Sequence, residues 1–574
     1  MLLDNIQSGL IALPELQRPF VWENAKIRDL LDSMYRGYPV GTLLFWMTGG
    51  ANNVKTRAYG GQATVPHWLI VDGQQRLTGL YAVIKGKPVL RNHYSEEYIR
   101  IAFNPFTGAF EVPDASIPKD PSFIPDISAL WRPGTSLLQF IPAFLARYRN
   151  MRGEEALSAQ MVTAAEQNIQ RLTQLKETYS FTVLQLVPQL TEEEVAQVFV
   201  RVNSTGKVLK QSDFILTIMS IYWDEGRKKL EAFSRDCRLP VKQGASPFNY
   251  LFRPEPEHML RVAVALAFRR SRLEHVYSLL RGKDMDSGEV SEERRDTQFA
   301  KLETAQAKAL DLSSWFEFIL CLTQAGYRRA NLISSTMAVV YSFSLFLIGK
   351  HDFAVPQKEL RQVISRWFFF VSLTGRYTHS PESQMEKDLA DIRGLATAAE
   401  FTEHLESRMA MILTPDFWAV SLPGAMNSSA ARSPELFAYF AALNLLGAKV
   451  LFSQVKVAEL MDPALNPKKP LLDRHHLFPK GYLKKKTITA TRDINQIANM
   501  ALLEWPENIR IKDDAPSTYF PPLFQVLSPK DKLLSAELHA LPGGWENMEY
   551  WDFLVARREL MAGVIKKGFE AVGG

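Results

Sequence analysis

Apolar and polar positions along this chain change rhythm several times, and each change marks an element. The apolar run Trp68 to Val71 ends in the polar stretch Asp72-Gly73-Gln74-Gln75-Arg76, after which Leu77, Leu80, Tyr81 and Ile84 recur at helical spacing. This predicts strand, polar turn and helix. Upstream, Ala25 to Met34 reads as a helix and Leu43-Leu44-Phe45-Trp46 as a second apolar run. Downstream, residues 98–112 alternate like a hairpin around Asn104-Pro105 and Thr107-Gly108. Pro113 to Pro133 is proline-rich and reads as surface loop. Glu154 to Tyr179 has a helical pattern, Phe181 to Val187 returns as a strand, and Glu192 to Phe199 reads as a helix. Ser212 then stands where it can N-cap a helix over Asp213 to Tyr222.

From Lys228 to Arg432 apolar spacings of three and four dominate, as in His258 to Ala267, Trp315 to Leu322 and Leu360 to Leu373. The charged stretch Arg281 to Arg295 reads as a loop or linker. Trp367-Phe368-Phe369-Phe370 reads as core rather than a base-stacking platform, and Gly375-Arg376-Tyr377-Thr378 is left open as a contact to DNA or to the first domain. Leu332 to Gly349 is nearly long enough to span a bilayer, but its serines and a threonine dilute it, so it is expected as a buried helix and no membrane is implied.

Composition narrows the class. A chain of 574 residues, 46% hydrophobic and 22% charged, is too long for one core and too apolar for wholesale disorder. Its two cysteines, Cys237 and Cys321, are far apart, which excludes a disulfide framework or zinc ribbon and predicts buried thiols in a reducing cytoplasm. The first residues lack the basic start and apolar core of a signal peptide, so a cytoplasmic location is expected. A net charge of +5 is compatible with a polyanionic partner without requiring one.

Candidate chemistry gathers at two places. At residues 72–76 a carboxylate, two amides and a guanidinium meet a helix N-terminus, whose N–H groups and dipole favour an anion. Gln supplies donors and acceptors and Arg can grip phosphate bidentately, so the cluster is either a nucleotide or phosphate site or a polar loop capping a helix. Upstream stands Leu13-Pro14-Glu15-Leu16-Gln17-Arg18-Pro19-Phe20-Val21-Trp22. Together, this segment and IVDGQQRLTGL resemble the N-terminal domain of GmrSD-like modification-dependent (type IV) restriction enzymes, over roughly the first two hundred residues. The resemblance implies a ParB/sulfiredoxin-like fold with an NTP site formed by Gln17, Arg18, Asp72, Gly73, Gln74, Gln75 and Arg76. The family's F-x-R-x-N-S-x-G segment falls on Phe199 to Gly206 and adds Arg201 and Asn203. Read without it, Ser204-Thr205-Gly206-Lys207 is a poor phosphate loop, lacking the first glycine of a Walker A motif.

The second place is Leu471 to Phe520. Lys468, Lys469, Arg474, Lys480, Lys484, Lys485 and Lys486 make a basic setting there, suited to a phosphate backbone, with Asp473 the one acid set against them. Within it lie Asp473-Arg474-His475-His476-Leu477-Phe478-Pro479-Lys480, then Asn495-Gln496-Ile497-Ala498-Asn499-Met500-Ala501-Leu502-Leu503, then Asn508. This series resembles the HNH (ββα-metal) nuclease domain of the same restriction family. The resemblance implies His476 as general base, His475 and Asn508 as metal ligands, and Asn499 as the residue that orients the base or braces the loop. Phosphodiester hydrolysis needs those parts, a base for water and a divalent metal for phosphate charge. Mg²⁺ suits an amide oxygen, and imidazole also suits Mn²⁺ or Ni²⁺. His475 stands where many HNH sites have aspartate, which leaves the preferred metal open.

The expectation is therefore an α+β chain, predominantly helical, in three parts: 1–225, a ParB/sulfiredoxin-like nucleotide-binding sensor; 226–432, a helical connector; 433–574, an HNH endonuclease domain. Its function would be NTP-regulated, metal-dependent cleavage of double-stranded, modified phage DNA, with Lys480, Lys484, Lys485 and Lys486 on the backbone and NTPase activity in the first domain. A homodimer is compatible with this. The alternatives are an NTP-switched DNA-binding protein with an inactive HNH domain, and a nucleotide-modifying enzyme that turns over without DNA.

Overall fold

The structure is a computed structural model that describes residues 2–14, 20–47, 56–57, 67–91, 95–190, 194–195, 198, 211–241, 243–284, 287, 289–462, 464–465, 471–504 and 510–573. It is α+β, mostly helical with small sheets, and divides into two compact units, Met1–Glu225 and Gly226–Gly574.

The first unit is built on a five-stranded mixed sheet. Strand β1 (Ile11–Pro14) is followed by helix α1 (Asn24–Tyr35), then β2 (Leu43–Met47), β3 (Thr56–Arg57), β4 (Trp68–Asp72) and α2 (Gln74–Lys85). The central strand β4 runs parallel to β1 and antiparallel to β2. Its apolar run is continuous rather than alternating because both faces are covered. Ile70 faces Leu43, Phe45, Leu77 and Tyr81, whereas Leu69 and Val71 face Leu44, Trp46 and Val195.

The hairpin forms between β5 (Ala102–Asn104) and β6 (Ala109–Glu111), with Asn104 Oδ1 accepting the N–H of Phe106 at 3.0 Å. The proline-rich segment after it departs from the expected surface loop. It contributes buried Ile117, Ile124, Ile127 and Leu130, and Ile124 bridges to Phe103. Ile124, Ile127 and Leu130 join α1, α2 and the two helices α3 (Leu137–Arg152) and α4 (Ala159–Thr178) in one core. Strand β7 (Val183–Leu186) then closes the sheet parallel to β2. The following helix runs Gln211–Tyr222, so Ser212 lies inside it and not at its N-cap.

In the second unit α5 (Pro256–Phe268), α6 (Glu292–Ala309), α7 (Leu312–Gln324), α8 (Thr336–His351) and α9 (Gln357–Thr374) pack together. Every residue of α8 from Ala338 to Gly349 is buried, so this apolar helix is buried all round. No helix among the described residues is long and apolar enough to cross a membrane. Trp367 to Phe370 are core. Arg376 and Tyr377 both turn inward to Asp388, through Arg376 Nε at 3.1 Å and Tyr377 OH at 2.7 Å, which engages them within the fold. The charged stretch from Arg281 is linker only as far as Ser291, whose hydroxyl caps α6; Glu292 to Arg295 form that helix's first turn. Burial pushes the Cys237 and Cys321 thiols up to about 12.

Helix α9 also packs on α10 (Pro434–Leu445), and α10 on the last helix. The C-terminal part comprises β8 (Leu472–His476), α11 (Lys480–Lys485), β9 (Met500–Glu504), α12 (Pro516–Gln525) and α13 (Tyr550–Glu570). Strands β8 and β9 form an antiparallel pair with His476 opposite Met500 and His475 opposite Ala501.

Candidate functional site

In the first unit β4 ends at Asp72 and α2 begins at Gln74, with Gly73 between them at φ 97°. A side chain does not fit that position: a Cβ would stand 2.3 Å from Leu43 Cδ2. Arg76 reaches back across the helix mouth. Its Nη1 donates to Val40 O at 2.7 Å, and its Nη2 to Thr42 O at 2.8 Å and Asp72 Oδ2 at 3.2 Å. Gly41, with φ 88°, lets the chain pass so close that a Cβ would lie 2.6 Å from Arg76 Nη1. Gln75 Oε1 accepts the N–H of Val21 at 2.8 Å and of Trp22 at 3.3 Å. Arg76 and Gln75 thus hold two loops around the start of α2, and much of the guanidinium fork is engaged by protein oxygens. Asp72 and Gln74 are half-buried at the same mouth. Gln17, Arg18, Arg201 and Asn203 lie outside the described residues.

In the second unit successive residues of β8 point to opposite faces. His475 is 4% exposed, with Tyr519 of α12 edge-on at 5.8 Å between ring centroids. The Tyr519 hydroxyl donates to Leu477 O at 2.7 Å, pinning the chain just beyond the two histidines. His476 lies on the other face, and its Nε2 sits 3.0 Å from Asn495 Oδ1. Because that oxygen can only accept, the contact requires an N–H at Nε2 and leaves the lone pair on Nδ1. Burial pushes the His476 imidazole below its ordinary pKa.

Asn499 is fully buried and spends its amide on backbone. Oδ1 accepts the N–H of Phe478 at 2.8 Å, while Nδ2 donates to Phe478 O at 3.1 Å and Ile494 O at 3.2 Å. It therefore braces the loop after β8 against the turn before β9, and the side chain that holds His476 is Asn495. Asn508 lies outside the described residues.

The basic patch separates into two kinds of residue. Lys480, Lys484, Lys485 and Lys486 are exposed on and just after α11. Arg474 instead donates to Ala431 O at 2.8 Å and lies over the rings of Phe437 and Phe440, so it anchors β8 to α10 and is no part of an open patch. Lys468 and Lys469 fall outside the described residues. Helix α11 starts against an acid that the sequence did not single out. Asp513 Oδ1 accepts the Gly481 N–H at 3.1 Å, in space that a Cβ at position 481 would fill, 2.0 Å from Asp513 Cγ.

The profile of the GmrSD restriction endonuclease N-terminal domain matches residues 1–220. The matched region coincides closely with the first compact unit and contains the Asp72 to Arg76 mouth. The HNH series lies outside the matched residues. The whole chain is also similar to an uncharacterized protein of Methanocaldococcus jannaschii, 23% identical over 590 residues that cover 96% of this chain and 92% of the relative.

Asn495 opens the amide-rich series that runs to Leu503, but the role of holding His476 is not legible from its position there. Nothing in the local sequence marked Asp513. Within the matched region, Gln75 and Arg76 are legible in the sequence but their backbone partners at residues 21–22 and 40–42 are not.

Proposed function

We propose that this protein is a metal-dependent DNA endonuclease of GmrSD type, cleaving foreign, modified DNA under control of a nucleotide bound in the first unit. The observation that carries the reading is the pairing of His476, at the end of β8, with Asn495 in the turn that precedes β9, next to a helix with exposed lysines. With Nε2–H given to Asn495 Oδ1, Nδ1 is the atom that takes a proton from water. His475 on the opposite face, with Asn508, would hold the metal. A donor set of one imidazole and one amide oxygen is sparse and suits a divalent cation that keeps waters and takes phosphate oxygens as further ligands. When bound, that cation stabilises negative charge on the phosphate and the leaving oxygen. Lys480, Lys484, Lys485 and Lys486 neutralise the DNA backbone beside it.

In the first unit, the α2 N-terminus and the loops held by Arg76 and Gln75 frame an anion, and we assign the nucleotide phosphates to it. Coupling hydrolysis to a nucleotide keeps an otherwise indiscriminate nuclease in check. The test is cleavage of modified and unmodified phage genomes with Mg²⁺ or Mn²⁺, with and without each NTP. Metal-dependent cutting that changes with nucleotide is expected. Tight DNA binding without cutting under every condition overturns the enzyme reading and leaves the switched DNA-binding protein.

A further inference from the structure

The last helix, α13, carries two polar side chains one heptad apart that reach the same loop. Arg557 is fully buried. Its Nη1 donates to Ala498 O at 2.6 Å and Met500 O at 2.9 Å, the carbonyls flanking Asn499. Its Nε and Nη2 donate to His539 O at 3.3 and 3.1 Å. Tyr550 OH donates to Asp493 O at 2.7 Å, two residues before Asn495. Between them Phe478, whose backbone Asn499 grips, packs its ring on Phe553 of α13 at 4.8 Å and on Tyr550 at 5.3 Å. Every segment that sets His476 is thereby tied to one helix: the turn bearing Asn495, the brace at Asn499, the loop at Phe478, and Met500, which stands opposite His476 in the sheet.

No carboxylate among the described residues forms an ion pair with Arg557. A buried cation is costly to desolvate, and an apolar side chain would fill the same space without that cost. What an apolar residue cannot do is hold three carbonyls of two segments in one rigid fork.

We infer that Arg557 is a positioning residue for the nuclease centre: with Tyr550 it bolts the 493–500 segment to α13 and so fixes the orientation of His476. The inference rests on the proposed hydrolytic role of His476. A displacement of about 1 Å at a reacting group can cost a hundredfold in rate, so loosening this clamp acts on turnover rather than on substrate binding.

The experiment compares wild type, Arg557→Lys, Tyr550→Phe and His476→Ala on a panel of modified and unmodified phage genomes, with Mn²⁺ and each NTP. Rates are expressed per DNA-binding-competent molecule, so that a partly unfolded population does not lower them. Lysine keeps the charge but cannot fork, and phenylalanine keeps the ring but loses the donor. For Arg557→Lys we expect kcat to fall about tenfold or more, with KM and DNA affinity unchanged and no rescue by excess Mn²⁺. Tyr550→Phe should give a smaller loss of the same kind. Should Arg557→Lys fail to fold, Tyr550→Phe decides alone. Wild-type kcat per competent molecule in the folded variants, or a change confined to KM, overturns the inference. Full activity in His476→Ala, or no cutting by the wild type, instead overturns the nuclease reading beneath it.

Discussion

His476 and Asn495 divide one task between an imidazole and an amide. The amide fixes which ring nitrogen carries the proton, and the ring supplies the lone pair. His476→Ala is expected to lower cleavage by about a hundredfold or more while DNA affinity, read by filter binding, stays near wild type. Asn495→Ala should cost less, because the ring remains but both tautomers become available to it. Asn495→Asp is the sharper variant: a carboxylate still accepts the Nε2–H and so keeps the tautomer, while raising the basicity of Nδ1, so the acidic limb of the pH–rate profile should move to higher pH with cleavage above that of Asn495→Ala once the ring is neutral. Cleavage by Asn495→Asp no better than that of Asn495→Ala at every pH, in a single-turnover assay, would refute this division. Asn499→Ala belongs to a different class: it leaves the Phe478 N–H and two carbonyls without their partner, so its effect should appear first in thermal stability.

At the scale of elements, the mouth of α2 depends on side chains that work as loop anchors. Arg76 is 13% exposed and makes its contacts as a charged donor, so Arg76→Ala should destabilise the fold by about 2 kcal/mol, the usual worth of such bonds. Hydrogen exchange at residues 40–44 should speed up in the same variant. Nucleotide affinity, by calorimetry, should fall as well, because the loops that frame the site lose their anchor. Unchanged exchange at those residues would show that the anchor is dispensable.

Elements that announce themselves by their own periodicity were readable in the sequence. The β4–α2 unit, the hairpin and the buried helix α8 are of this kind, each having a local pattern that its surroundings reinforce. Helix α3 was not anticipated, because it carries Pro142 and leaves Leu138 89% exposed, which blurs its apolar stripe. The proline-rich segment misled for the opposite reason: its prolines dominate the composition, while four isoleucine and leucine positions do the burying. Asn495 and Arg557 were invisible as partners because 19 residues separate Asn495 from His476 and 57 separate Arg557 from Met500. Only the packed hairpin and final helix bring them together.

At the scale of the whole molecule, two conditions outside the catalytic chemistry set its behaviour. Lys484, Lys485 and Lys486 are exposed, and under the proposed function they are a salt-sensitive handle on DNA. Replacing all three with alanine should weaken binding and flatten the dependence of log affinity on log salt by about 0.9 for each phosphate left without its lysine. An unchanged slope would place the backbone-binding surface elsewhere. The other condition is pH. His539 is buried against Lys449 O, and burial pushes its pKa from the usual 6.5 down to about 4. The unfolded chain therefore binds a proton that the folded chain refuses, so stability drains away as pH falls from about 6.5 toward 4. At its limit this amounts to about 3 kcal/mol. His539→Gln keeps a donor for Lys449 O without titrating, and its urea unfolding should vary less between pH 7 and pH 5 than that of the wild type. Equal pH dependence in the two proteins would exclude His539 as the cause.

The dependence of the histidine loop on α13 has a temporal side. A ribosome makes His476 first, then Asn495 and Asn499, and Tyr550 and Arg557 only afterwards. While the nascent chain still lacks α13, its strands can pair and Asn499 and Tyr519 can hold the loop that follows His476, but the ties from Tyr550 and Arg557 to the 493–500 segment are missing. Under the proposed nuclease role, translation order would then act as a safety catch: a product interrupted before Tyr550 would lack the ties that aim His476, and the centre would be complete only after its last strut had been synthesised.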